Sequence, residues 1–196
     1  MYSKIRTSSI CRTLRWLALV CFVAAVPFAM AADDEKDTYD QDSILKDAAD
    51  FFGDTTEGLA KVIEKAFKDQ GRPNGYIKGQ EISAAITIGL RYGDGELTLK
   101  KGGREKVFWQ GPSVGFDLGA NASKVFILVY NLAKPDDVFQ RFPAIDGSLY
   151  YVGGAGMNYQ RWKQVVLAPI RLGVGMRAGA SIGYMHYTRT KTLNPL

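Results

Sequence analysis

Past Gly75 the apolar residues recur at every second position, whereas before it they recur at every third or fourth. In the earlier stretch Ile44, Leu45, Ala48, Ala49 and Phe52 share one helical face, and Leu59, Val62, Ile63, Ala66 and Phe67 repeat the spacing. Gly53 is placed to end the first run. Asp54 with Glu57 three residues on resembles a capping box with aspartate as the cap, and Gly71 and Pro73 stop the second run. Residues 43–71 therefore predict two short amphipathic helices. Residues 32–42, acidic and poor in aliphatic side chains, predict a disordered leader ahead of them.

Residues 76–188 read as strands. Ala84, Ile86, Ile88, Leu90 and Tyr92 alternate with Ala85, Thr87, Gly89 and Arg91, and Asp94-Gly95 is a hairpin signal before Leu97 and Leu99. Gly102-Gly103 turns the chain into Val107 and Trp109, and Gly111-Pro112 predicts a kink before Val114, Phe116 and Leu118. The run 125–130 is apolar on both faces, so it is expected to be the most covered strand. Pro135-Asp136-Asp137 suits a short helical turn. Strands follow at 149–158 and 165–172, where Pro169 implies a bulge or an edge.

The last long stretch, 173–187, carries Val174, Met176, Ala178, Ala180, Ile182 and Tyr184 on even positions. Glycine dominates its odd ones. One face is apolar and the other nearly bare, the pattern of a long bent strand, here expected to join the last strand to the first. About eight strands at hairpin spacing, with no long helix between them, predict an all-β fold with N-terminal helices: a small soluble antiparallel eight-stranded β-barrel.

Charge and cysteine usage depend on what happens to the N-terminus. Lys4, Arg6, Arg12 and Arg15 precede an apolar run at 16–28, and Ala29-Met30-Ala31 is a small-x-small cleavage site. Residues 1–31 thus read as a secretion signal cleaved after Ala31, its apolar run too short to span a bilayer. The formal charge of +5 falls close to neutral once those four basic residues leave. Both cysteines, Cys11 and Cys21, leave with them, so the mature chain has neither disulfide nor thiol. Nucleic-acid binding is disfavoured by charge and compartment alike. Residues 33–69 hold 12 acidic and 5 basic residues, the wrong sign for anionic lipid heads, so the helices are expected to dock on the barrel.

Several blocks, in order, carry a resemblance. They are Tyr76-Ile77-Lys78-Gly79-Gln80-Glu81, Gly89-Leu90-Arg91-Tyr92-Gly93, and Phe108-Trp109-Gln110-Gly111-Pro112-Ser113-Val114-Gly115-Phe116-Asp117. Further on stand Leu128-Val129-Tyr130-Asn131-Leu132, Asp146-Gly147-Ser148 and Pro169-Ile170-Arg171. The chain resembles the envelope integrity protein A family of bacterial secreted proteins over about 76–187. The glycine-rich blocks are more loosely similar to SYLF-type lipid-binding domains. The family resemblance implies a periplasmic eight-stranded barrel that supports the cell envelope, and it implies no catalytic residue.

Few residues invite chemistry. His186 is the single histidine and reads as a rim residue; with one histidine and no cysteine in the mature chain, the Cys/His ligand set of a structural zinc site is missing. Gly153-Gly154-Ala155-Gly156 lacks the lysine and the helix of a nucleotide-binding loop. No cofactor, metal, nucleotide or catalytic residue is expected. Arg91, Trp109, Phe116, Asp117 and Arg171 are the candidate ligand-binding set, polar groups converging on an apolar pocket. The expected function is non-enzymatic support of the envelope by binding a lipid, a glycan or another envelope protein. Two other readings stay open. One is an integral outer-membrane barrel, which needs strands of about 9–11 residues with lipid-facing belts. The other is an envelope-polymer hydrolase using a carboxylate pair, Asp117 and Glu81. The last residues, 189–196, read as a tail.

Overall fold

The computed structural model describes residues 36–54, 56–117, 122–173 and 183–192, with side chains given for all of these except 83–88 and 113–117. The signal at 1–31 and most of the glycine-rich stretch, 174–182, lie outside the described residues.

Helix α1 (Gln41–Phe52) begins two residues before the sequence pattern suggests. Asp40 caps it: its carboxylate accepts the Ser43 backbone N–H at 2.8 Å and the Ser43 hydroxyl at 2.8 Å. Gly53, at φ +88°, ends the helix in the left-handed conformation. The end of the acidic leader is consequently ordered. Tyr39 donates its N–H to the Pro73 carbonyl at 2.8 Å, and its ring lies 5.2 Å from that of Tyr76. Helix α2 (Glu57–Gln70) is capped by Thr56, whose hydroxyl accepts the Leu59 N–H at 3.1 Å. Asp54 is therefore not the cap: the helix opens at Glu57, directly after Thr56.

Among the described residues nine strands follow, and each pairing is antiparallel. They are β1 (Gly75–Leu99), β2 (Arg104–Asp117), β3 (Ser123–Tyr130), β4 (Arg141–Pro143), β5 (Tyr150–Val152), β6 (Ala155–Met157), β7 (Gln160–Trp162), β8 (Val165–Leu172) and β9 (Tyr184–Thr188). Their spatial order is β4-β9-β2-β1-β3-β8-β6-β5, with β7 also on β8. Between β3 and β4, Pro135–Val138 forms the expected short helical turn.

Strand β1 is long enough to serve the sheet twice. Its start pairs with β3 (Gly75↔Val129 to Glu81↔Ser123), and its later part pairs with β2 (Ala85↔Asp117 to Thr98↔Arg104). It bends so far that its two ends touch. A Cβ on Gly95 would meet the Lys78 carbonyl at 2.6 Å and Gly79 Cα at 2.9 Å. Asp94-Gly95 is therefore no hairpin; it is mid-strand, opposite Phe108 and Val107. The glycine is there for close approach. The actual turn uses Gly102 and Gly103, at φ +95° and +102°.

The stretch 149–158, expected as one strand, is a hairpin of β5 and β6 turned by Gly153 and Gly154, at φ +54° and +80°. Pro112 does not kink β2 out of its ladder; it pairs with Leu90. Pro169 sits in a strand paired on both sides. The interruption between β6 and β7, at Asn158 and Tyr159, falls opposite Ala168 and Pro169, so no continuous ladder needs the N–H that proline lacks.

Among the described residues β9 pairs with β2 and β4 and not with β1, which pairs with β3 over residues 75–81 and with β2 over 85–98; the rest of the expected closing strand lies outside them. Gly183 stands at φ +102°, and beyond it Met185 and Tyr187 are buried, so the apolar positions there are odd rather than even. Curling ends where β4 meets β7: Ala144 bridges to Gln160, and the Ile145 N–H donates to the Tyr159 carbonyl at 2.9 Å. The result is a barrel-like sheet with two cores.

The inner core contains Ile77, Leu97, Val107, Val125, Ile127, Val129, Leu167 and Phe142. The outer one lies between the sheet and the helices, where Ile44, Ala48, Leu59, Val62, Ile63 and Ala66 cover Phe126, Leu128, Tyr130 and Ile170. Strand β3 is thus buried on both faces, as its sequence indicates. Each such side chain is worth roughly 1.5–3 kcal/mol when fully buried. Polar pins fix the helices on the sheet. Lys124 donates to the Phe51 carbonyl at 2.7 Å at the C-terminal end of α1, Lys78 pairs with Asp47 at 2.9 Å, and the Tyr159 hydroxyl donates to Asp69 at 2.9 Å. Among the described residues no helix is long and apolar enough to cross a membrane.

Candidate functional site

Among the described residues of β1 and β2, the buried side chains at odd positions are Ile77, Leu97, Val107, Trp109 and two charged ones, Glu81 and Arg91. The bend of β1 brings both to one end of the inner core, where Arg171 of β8 and Trp109 of β2 join them; all four are at most 3% exposed. Arg171 donates to both carboxylate oxygens of Glu81, from Nε to Oε1 and from Nη2 to Oε2 at 3.1 Å. Arg91 Nε lies 3.5 Å from Oε1, and the Trp109 indole N–H donates to Oε2 at 3.3 Å.

Burial alone would raise the Glu81 pKa. The attraction of Arg171 and Arg91, with the hydrogen bonds from Arg171 and Trp109, outweighs it and brings the group from 4.5 down to about 2. The Arg171 guanidinium, which burial would destabilise, is in turn held protonated by Glu81. Beside this cluster Tyr187 donates its hydroxyl to Gln160 Oε1 at 3.0 Å, and burial pushes its pKa upward. Its ring packs edge-on to Phe142 at 5.4 Å and 6.1 Å from Trp109.

Three of the five candidate ligand residues, Arg91, Trp109 and Arg171, therefore converge, but on a buried carboxylate and not on an apolar pocket. The reason is electrostatic: two guanidinium groups drawn out of water need an anion beside them, and Glu81 supplies it. Phe116 and Asp117 pair through their backbones with Ile86 and Ala85, and their side chains lie outside the described residues. Glu81, ionised at any ordinary pH and held by two cations, is unsuited to deliver a proton as a general acid. His186 is half-buried on β9 opposite Arg141 and Gln110, and burial with the nearby Arg141 lowers its pKa, keeping it neutral. Among the described residues no group of three or more His, Cys, Asp or Glu could hold a metal ion.

The opposite face of the same strands holds a pocket of about 470 Å³ that residue-by-residue reading missed. Gln80 and Ile82 flank it on one side of the β1 bend, and Tyr92 and Asp94 flank it on the other. Lys106 and Phe108 come from β2, and Thr188 and Lys191 close the rim. Trp109 reaches it from within, because Gly93 has no side chain: a Cβ there would meet the indole at 2.2 Å. The signal was the run of even positions, polar and aromatic by turns, on strands whose odd positions form the core.

The family model for envelope integrity protein A matches residues 37–196. The chain belongs to the envelope integrity protein A family. Among solved structures, it is similar to the crystal structure of a β-barrel-like, uncharacterized protein from Brucella abortus. The two share 43% identity over 82% of this chain and 99% of that one, with a TM-score of 0.76. No curated protein matches the chain. Envelope integrity protein A membership and the barrel-like neighbour agree with the resemblance carried by the Tyr76 and Trp109 blocks.

Proposed function

We propose that this envelope integrity protein A member is exported to the periplasm and supports the cell envelope by binding, without catalysing a reaction. The observation that carries the reading is that the inner core is packed with side chains and tied by the Glu81 ion cluster, which leaves the outer surface to meet a partner. The outer face of β3 and β8 is covered by α1 and α2, where a membrane-spanning barrel would present side chains to lipid. That supports a periplasmic protein over the integral outer-membrane alternative. The hydrolase alternative loses one of its two carboxylates to the ion cluster.

The test is complementation of a deletion strain under detergent stress, coupled to fractionation. Full-length protein should restore growth and appear in the osmotic-shock fluid, whereas a version lacking residues 1–31 should do neither. Recovery only in detergent extracts, or equal rescue by the leaderless version, would overturn the proposal.

A further inference from the structure

The geometry points to the pocket at the β1 bend as a site for an acidic saccharide. This deepens the proposed function and rests on it. Three features select the ligand. Tyr92 and Phe108 are half-buried aromatic side chains lining a concavity, and the apolar C–H face of a sugar ring packs on such rings. Asp94, Gln80 and Thr188 place a carboxylate, an amide and a hydroxyl around them, the acceptors and donors that sugar hydroxyls require. Lys106 and Lys191 are exposed on the rim, and among the described residues neither makes an ion pair; Lys106 rests over the Phe108 ring at 5.2 Å. Two cations against one carboxylate leave the pocket positive, which favours a sugar bearing an acidic group over a neutral one.

Other occupants fit less well. An acyl chain needs an unbroken apolar lining, and the one aliphatic side chain of any size here is Ile82. An extended peptide adding a strand needs a free edge, and at Phe108 and Gln110 β2 is paired on both sides, with β1 and β9. The floor is also preorganised. Trp109 is held by its hydrogen bond to Glu81, so the pocket lies directly behind the ion cluster and takes its rigidity from it.

Backbone-amide NMR of the mature protein, titrated with trigalacturonic acid and separately with neutral chitotriose, tests the site. The acidic probe should shift the amides of Tyr92, Asp94, Phe108 and Thr188 and bind about tenfold more tightly than the neutral one. Lys106→Gln combined with Lys191→Gln should abolish that preference while leaving the spectrum of the rest of the barrel unchanged. Equal binding of both probes, shifts elsewhere on the surface, or no shift at all would overturn the inference. Rescue of the deletion strain by wild type, set beside its saccharide binding, separates the two ideas. If wild type rescues growth yet shows no saccharide binding, the site falls and envelope support stands; if wild type does not rescue, envelope support falls.

Discussion

Removing the negative charge from Glu81 is the perturbation whose size the structure sets most directly. Glu81→Gln keeps the shape of the side chain but leaves Arg91 and Arg171 buried without their anion. Breaking a buried pair in this way costs about 3–5 kcal/mol. Proton linkage gives a second, independent figure. Folding lowers the carboxyl pKa from 4.5 to about 2, a difference worth about 3 kcal/mol. Because the folded pKa is the lower one, this contribution is whole above about pH 4.5 and is lost as pH falls toward 2.

Urea unfolding of wild type and variant should therefore show a gap of about 3 kcal/mol at pH 7 that closes as the pH approaches 2. Arg171→Met should cost less than Glu81→Gln, since it leaves one buried cation facing one anion. A gap below about 1 kcal/mol at neutral pH, typical of an exposed pair, would refute the reasoning. So would a gap that persists unchanged into acid.

Four further substitutions probe the scaffold. Gly95→Ala should destabilise the protein by about 1–3 kcal/mol, since the new Cβ would press on the Lys78 carbonyl and Gly79 Cα, which are backbone atoms; a neutral thermal shift would mean that the ends of β1 do not touch. Tyr159→Phe removes the hydroxyl bond to Asp69 and should lower stability by about 1 kcal/mol, with faster hydrogen exchange confined to the end of α2. Thr56→Ala should cost about 1 kcal/mol, whereas Asp54→Ala should cost almost nothing; the reverse order in denaturant midpoints would restore Asp54 as the cap.

What could be read from the chain alone was what depends on near neighbours. The helical stripe from Ile44 to Phe67, the ends at Gly53 and Gly71, the helical turn at Pro135 and the two-sided burial of 125–130 are all set by local spacing and backbone preference. Envelope integrity protein A membership was legible too, in the Tyr76 and Trp109 blocks. Tertiary structure decided what a dipeptide does when distant backbone lies against it. Asp94-Gly95 has the chemistry of a turn, yet Gly79 arrives from the other end of the same strand and needs that glycine bare. In the same way Arg91 and Arg171 carry no mark in sequence of whether they will face a ligand or a carboxylate. That depends on the bend of β1 bringing Glu81 to Arg91 and on β8 bringing Arg171 to it from 90 residues away, a long-range placement that no local pattern encodes.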